Sequence, residues 1–193
     1  GGSHTKTLFN KFDGAGVYLC DDSPEIIGNE FTNSHSGLSI GSPSSPYVGS
    51  FIISGNVIRD GVGRDVNFTT VQGIELYAPN SVVASNQIYR NAGAGISVVG
   101  KNIIVSNNNI YDNGQYGSGE AGIACLRIGS NPWEDCSNST FVGNFSGNVS
   151  GAYQTYGYQE NSASILGVTV SPSNQFINNA IAPVNILSLT TKY

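Results

Sequence analysis

Thirteen Asp and Glu side chains stand against eight Lys and Arg in this 193-residue chain, and three of the acids are placed where they could share a proton-transfer task. Cleavage of a glycosidic bond takes two carboxyl groups in different environments, one to protonate the leaving oxygen and one to attack or to activate water. Glu75 sits in the strand-like run GIEL, Asp65 in the polar segment before it with Asp60 and Arg64, and Glu120 just ahead of the run GIAC. A single carboxylate on an exposed strand is ordinarily a solvated residue, so the weight rests on the combination. Sugars expose flat C–H faces that pack on aromatic rings, and grooves that hold them set Trp and Tyr beside amides and acids. Trp133, Tyr77 and Tyr116, with Tyr47, lie in or next to turn segments, while Ser39 and Ser97 hold the place of Glu75 in neighbouring runs. Arg127 ends GIACLR, where it could meet an acidic sugar or pair with Glu134 or Asp135.

The elements that must position these groups are short. Gly 25, Ser 25 and Asn 22 dominate a composition that is only 11% charged but 39% hydrophobic. Gly and Asn are poor helix formers and good turn formers, and the Val, Ile, Leu and Phe residues come in brief runs between them, so the chain reads as all-β. Net charge is −5 and no basic stripe is present, which argues against nucleic acid as a partner. No apolar run approaches the ~18 residues of a membrane span, so no membrane is expected either. Cys20, Cys125 and Cys136 have neither zinc-type spacing nor an even count, and allow at most one bridge. His4 and His35 form no ligand cluster, and no acidic stretch has the spacing of a Ca²⁺ loop, so neither metal nor cofactor is expected.

One phrase recurs along the chain: Asn, any residue, a large apolar residue, then a few polar residues and a Gly that opens an apolar-x-apolar strand. Its fullest copy is NQIYRNAGAGISV, from Asn86 to Val98. Aligning the copies gives a column of seven asparagines, Asn10, Asn29, Asn56, Asn86, Asn108, Asn144 and Asn174. Two places after them stand Phe12, Phe31, Ile58, Ile88, Ile110, Ser146 and Phe176, all but one large and apolar. A third strand precedes each Asn, as in FIIS at Phe51 and VVAS at Val82. Each unit thus supplies three short strands, the pattern of a solenoid coil.

These features resemble the right-handed, single-stranded parallel β-helix of the pectin-lyase-like superfamily, closest in character to bacteriophage tailspike and polysaccharide-depolymerase β-helices. The resemblance runs from about Thr7 to about Leu189. It implies about seven coils, a ladder of Asn amides at the turn between the second and third strands, and left-handed backbone at that turn, which Asn tolerates. Residues 1–6 are read as a tag scar or lead-in, and 7–193 as a single β-helix domain that is a fragment of a longer chain. The resemblance implies a polysaccharide partner and an extracellular or virion-surface location, and it leaves a homotrimer open.

By period-2 alternation the outward residues of the strand after the Gly are Tyr18, Ser39, Glu75, Ser97 and Ala124, which stack into one long face. Saccharide lies on this face in the resembling enzymes. Loops at 60–72 and 112–121 enter it, and loops at 41–49 and 127–140 leave it. Asp60, Arg90 and Asp112, each four residues after a column Asn, are expected to form an acidic-basic-acidic ladder, Tyr89 and Tyr111 to stack on an outer face, and Cys125 to lie in the core. The Asn-Thr-Asp, Asp-Asp and Gly-His-Gly elements of polygalacturonases are absent, as are the clustered acids of pectate lyases and the Asp-Pro-His-Glu element of alginate epimerases. The resemblance therefore implies a fold and a class of substrate. Glycoside hydrolase, polysaccharide lyase, and a non-catalytic saccharide-binding or structural segment of a phage fibre or adhesin all stay open.

Overall fold

The recurring phrase folds as one turn of a solenoid. The computed structural model describes residues 6–19, 24–34, 37–41, 49–62, 71–115, 120–128, 135–151 and 153–193. Among these residues, three parallel sheets of seven strands run the length of the stack. Sheet A contains Lys6–Leu8, Glu25–Ile27, Ile52–Ser54, Val82–Ala84, Ile104–Ser106, Thr140–Val142 and Thr169–Val170. Sheet B contains Lys11–Asp13, Glu30–Thr32, Val57–Arg59, Gln87–Tyr89, Asn109–Tyr111, Phe145–Gly147 and Gln175–Ile177. Sheet C contains Val17–Leu19, Leu38–Ile40, Ile74–Leu76, Ile96–Val98, Ala121–Cys125, Tyr156–Glu160 and Ala182–Asn185. The first strand begins at Lys6, inside the segment read from sequence as a lead-in.

Because each strand pairs with its equivalent one coil away, identical positions stack. Ile53, Val83 and Val105 line the interior from sheet A, Ile58, Ile88 and Ile110 from sheet B, and Ile74, Ile96 and Ile123 from sheet C, all at most 1% exposed. Phe12 and Phe31 stack with centroids 4.9 Å apart. The glycine ahead of a sheet C strand marks a tight corner, as at Gly73 and Gly95. A Cβ at Gly73 would fall on the Cγ2 methyl of Ile88, and one at Gly95 on that of Ile110, so the inner apolar stack of sheet B leaves no room for any other residue there.

The Asn column forms the expected ladder. Each Nδ2 donates to the Oδ1 of the column residue in the following coil, at 2.9–3.0 Å from Asn29 to Asn174 and 3.3 Å from Asn10 to Asn29. The same Oδ1 also accepts the backbone N–H of the preceding column residue. The left-handed residue at this turn is not the Asn, however, but the residue before it: Phe9 (φ 53°), Gly28 (68°), Gly55 (66°), Ser85 (56°), Asn107 (53°) and Gly143 (64°). That residue makes the bend, and the Asn behind it turns its amide inward without strain.

A second, shorter ladder went unread in the sequence. Asn91, five places after Asn86, donates to Asn113 Oδ1 at 2.9 Å and accepts the Gly61 N–H at 3.1 Å. Its signal was an Asn in the same place in two adjacent copies, NQIYRN and NNIYDN.

The expected Asp60–Arg90–Asp112 ladder is half realised. Arg90 binds Asp60 through Nε at 2.6 Å and Nη2 at 2.9 Å. Asp112 turns away and accepts the Val149 and Ser150 N–H groups and the Ser150 hydroxyl. All three take left-handed backbone, which aims their side chains out of the strand stack; Asp112 finds a loop with free N–H groups instead of a guanidinium. Tyr89 and Tyr111 do stack, 4.7 Å apart. Cys125 is fully buried as expected, in a disulfide with Cys136 (Cα–Cα 5.6 Å). At the last coils, the fully buried Glu160 accepts hydrogen bonds from the Tyr158 and Thr191 hydroxyls and from the Leu187 and Ser188 N–H groups, tying the C-terminal segment to the core.

Candidate functional site

The outer face of sheet C follows the register expected from the sequence, with Tyr18, Ser39, Glu75, Ser97, Ala124 and Gln159 opposite one another in successive coils. It is not one open face. Tyr18 is 58% exposed, and Ser39 and Glu75 are partly exposed, whereas Ser97 and Ala124 are 1% and 6% exposed. Ala94, Ala121 and Ala124 form a second small apolar cluster with Leu126 and Tyr156 at its edge. The expectation that Ser97 touches a surface ligand is therefore corrected: its hydroxyl is buried and has no hydrogen-bond partner among the described residues. Period-2 alternation reports which way a side chain points, and says nothing of what covers it.

Glu75 lies at the open part of the row. The Tyr77 hydroxyl donates to its Oε1 at 2.5 Å, and the Ser39 hydroxyl to its Oε2 at 3.4 Å. Tyr77 follows Glu75 by two residues on the same strand face, so sequence alternation alone brings the pair together. Burial, and then the neighbouring Glu75 carboxylate, hold the Tyr77 phenol well above its ordinary range, so it stays a hydrogen-bond donor at neutral pH. A carboxylate with both oxygens accepting can take a proton from a ligand hydroxyl, attack an electrophilic carbon, or face developing positive charge.

Glu120 is half-buried, and that burial raises its pKa, opposed by the Ala94 N–H at its carboxyl. This suits a group kept protonated. Glu120 precedes the sheet C strand two coils beyond that of Glu75, four residues ahead of the in-register Ala124, which puts the two Cα atoms ~16 Å apart at ~4.8 Å per coil and ~3.3 Å per residue, and the Ala94 N–H at its carboxyl lies in the coil between them. Arg127 pairs with Asp135 at 3.5 Å, and its backbone N–H and C=O are both held by the Asn161 side chain. Asp65, Trp133 and Tyr116, with Tyr47, lie outside the described residues. Tyr18, placed in the outward row by sequence but not singled out as a ligand contact, is the most exposed aromatic of that row. Among the described residues no three His, Cys, Asp or Glu side chains gather as a metal site.

Three parallel sheets, a stacked interior and an Asn ladder define a parallel β-helix. The chain belongs to the family described as "Right handed beta helix region", whose model matches residues 3–181. No curated protein sequence matches the chain. Among solved structures it is similar to the mannuronan C-5 epimerase AlgE4 A-module of Azotobacter vinelandii (14% identity, TM-score 0.67, covering 97% of this chain and 57% of that one). It is also similar to an alginate lyase from Paenibacillus sp. str. FPU-7 (17% identity, TM-score 0.62, 94% and 71%). A third similar structure is the Dettilon tailspike protein gp208 (15% identity, TM-score 0.66, 93% and 37%). The chain spans little more than half of the epimerase module and about a third of the tailspike chain. At these identities the likeness is one of fold.

Proposed function

We propose that this domain recognises a polysaccharide on the open part of sheet C and that Glu75 provides acid–base or nucleophilic chemistry at a glycosidic bond there. The observation that carries the reading is the Glu75 carboxylate itself, exposed between Ser39 and Tyr77 with both oxygens engaged by hydroxyls, on a face with Tyr18 in the neighbouring coils. Two of the similar structures are named for an epimerase and a lyase of polysaccharides and a third for a tailspike, which supports the substrate class. The second carboxyl falls to Asp65 by sequence or to Glu120, whose burial favours its protonated form. The Cys125–Cys136 disulfide supports an extracellular or virion-surface location, because such bonds persist in oxidising surroundings.

Among the described residues the outward row of sheet C carries one acid, Glu75, which favours a second reading, a domain that binds saccharide without cleaving it. The two are separated by incubating the protein and its Glu75→Gln variant with bacterial surface polysaccharides and following new reducing ends and the absorbance of unsaturated sugars. Cleavage by the unaltered protein, lost in Glu75→Gln with binding retained, supports the enzyme. Equal cleavage by both removes Glu75 from the chemistry, and binding by both without cleavage establishes the binding module.

A further inference from the structure

We infer that the saccharide recognised on sheet C is uncharged. This rests on the polysaccharide reading above and narrows it. A polyuronate carries a carboxylate on every residue, and a site that desolvates such a chain must supply cations to meet it. The chain has eight Lys and Arg, and six of them are already held by its own carboxylates.

Four of the six lie on the other two sheets or the turns beside them. Lys6 pairs with Glu25 at 2.9 Å on sheet A. On the sheet B side Lys11 and Arg59 hold Glu30 at 3.3 and 2.9 Å, and Arg59 and Arg90 hold Asp60 at 2.7 and 2.6 Å. The two that follow sheet C strands, Lys101 and Arg127, both turn to Asp135, at 4.0 and 3.5 Å, and Glu134 adjoins it in the sequence. Of the remaining two, Lys192 lies beside sheet A, its backbone bridged to that of Thr169, and Arg64, which precedes Asp65 in the sequence, lies outside the described residues.

Among the described residues the open outward face is neutral apart from one negative charge. Its open outward positions are Tyr18, Ser39, Glu75, Gln159 and Asn185, and the next outward position after Glu75 is Tyr77. A uronate laid here would bring like charge against Glu75 and find no side-chain cation among the described residues of the face. A neutral hexose chain would meet two phenol rings for its C–H faces, and hydroxyl and amide groups for its hydroxyls.

The test is calorimetric titration of the intact chain with two sets of hexasaccharides. The neutral set is a β-1,4-glucan, an α-1,4-glucan and a β-1,4-mannan. The acidic set is the β-1,4-mannuronate, α-1,4-galacturonate and β-1,4-glucuronate oligomers, each run with and without calcium. The expected result is binding of a neutral member at least about tenfold tighter than any acidic one, with less than about a twofold change between low and high salt. Glu75→Gln, which removes the charge and keeps the shape, is expected to narrow that preference. Preferential binding of an acidic oligosaccharide overturns the inference and leaves the polysaccharide reading standing. Binding of neither set overturns both.

Discussion

Asn86 sits in the middle of the ladder, 1% exposed, and makes four hydrogen bonds with its amide. Its Nδ2 donates to Ile53 O at 3.0 Å and Asn108 Oδ1 at 2.9 Å, and its Oδ1 accepts from Asn56 N at 3.0 Å and Asn56 Nδ2 at 2.9 Å. Truncation to Ala leaves different debts at each end. Asn108 Oδ1 still receives the residue 86 backbone N–H, and Asn56 Nδ2 still reaches Ile26 O and Ser54 O. The Asn56 N–H loses the acceptor that Asn86 supplied, and Ile53 O loses its side-chain donor. Ile53 O keeps its place in the sheet A ladder, so at ~1–3 kcal/mol for the one buried donor left wanting Asn86→Ala should cost ~1–3 kcal/mol. The control is Asn109→Ala, an exposed residue that directly follows the ladder residue Asn108 and makes no ladder bond with its side chain, expected to change stability by less than about 0.5 kcal/mol. Asn102 would be a poor control, because it takes left-handed backbone (φ 57°) and donates to Asn80. Urea titrations followed by far-UV circular dichroism measure both variants, and the comparison is of midpoints at unchanged slope. Equal losses for Asn86→Ala and Asn109→Ala would refute the ladder as a source of stability.

Reducing the Cys125–Cys136 bridge, which spans a sequence separation of 11, should lower stability by ~2–3 kcal/mol, read as a shift of the urea midpoint on adding reductant. Two carboxyls should titrate with opposite sign. The Arg90 hydrogen bond first, and then Arg59, hold Asp60 below its ordinary 3.8, so its contribution is complete above that value and lost as pH falls through the depressed one. Asp60→Asn should therefore lower the melting temperature near about pH 7 and converge on the parent in acid. Burial raises Glu120 above its ordinary 4.5, so its cost is absent below that value and grows as pH rises through the raised one. Glu120→Gln should accordingly raise the melting temperature near about pH 7 and leave it unchanged below about pH 4, and melting curves across pH check both signs.

The coil architecture was legible because a solenoid repeats its physics. An interior place is apolar in nearly every coil, so Phe12, Phe31, Ile58, Ile88, Ile110 and Phe176 mark a column that a single sequence displays six times, with Ser146 as the one polar member. The ladder was legible for the same reason, although the left-handed residue was misplaced by one: the composition shows that Asn tolerates such backbone, but only coordinates show that Ser85 and Asn107 take it. The site was less legible because it depends on single events. Glu75 and Tyr77 were readable as neighbours on one strand face. The burial of Ser97 was not, since alternation points it outward just as it does Glu75 and carries no information on what lies over either. Nor was the turn of Asp112 toward Ser150, which depends on the path of one loop. The ~16 Å between Glu75 and Glu120 follows from register arithmetic and was within reach of the sequence once the coils were aligned.

From Asn10 to Asn144 every column amide donates one proton to the Oδ1 of the next rung and none donates to the Oδ1 of the rung before; from Asn29 onward another donation goes back to a sheet A carbonyl of the preceding coil. The ladder therefore has a head and a tail, and six bond dipoles add along the solenoid axis in the manner of a helix, though they belong to side chains. A rung is interchangeable with another only in the same orientation. An aspartate, which can receive but not give, would interrupt the series at any interior rung while resembling the native residue in shape. Evolution of such a chain by duplication of whole coils keeps the sense of the series automatically, whereas loops can lengthen freely between coils, as the uneven spacing from Asn10 to Asn174 records.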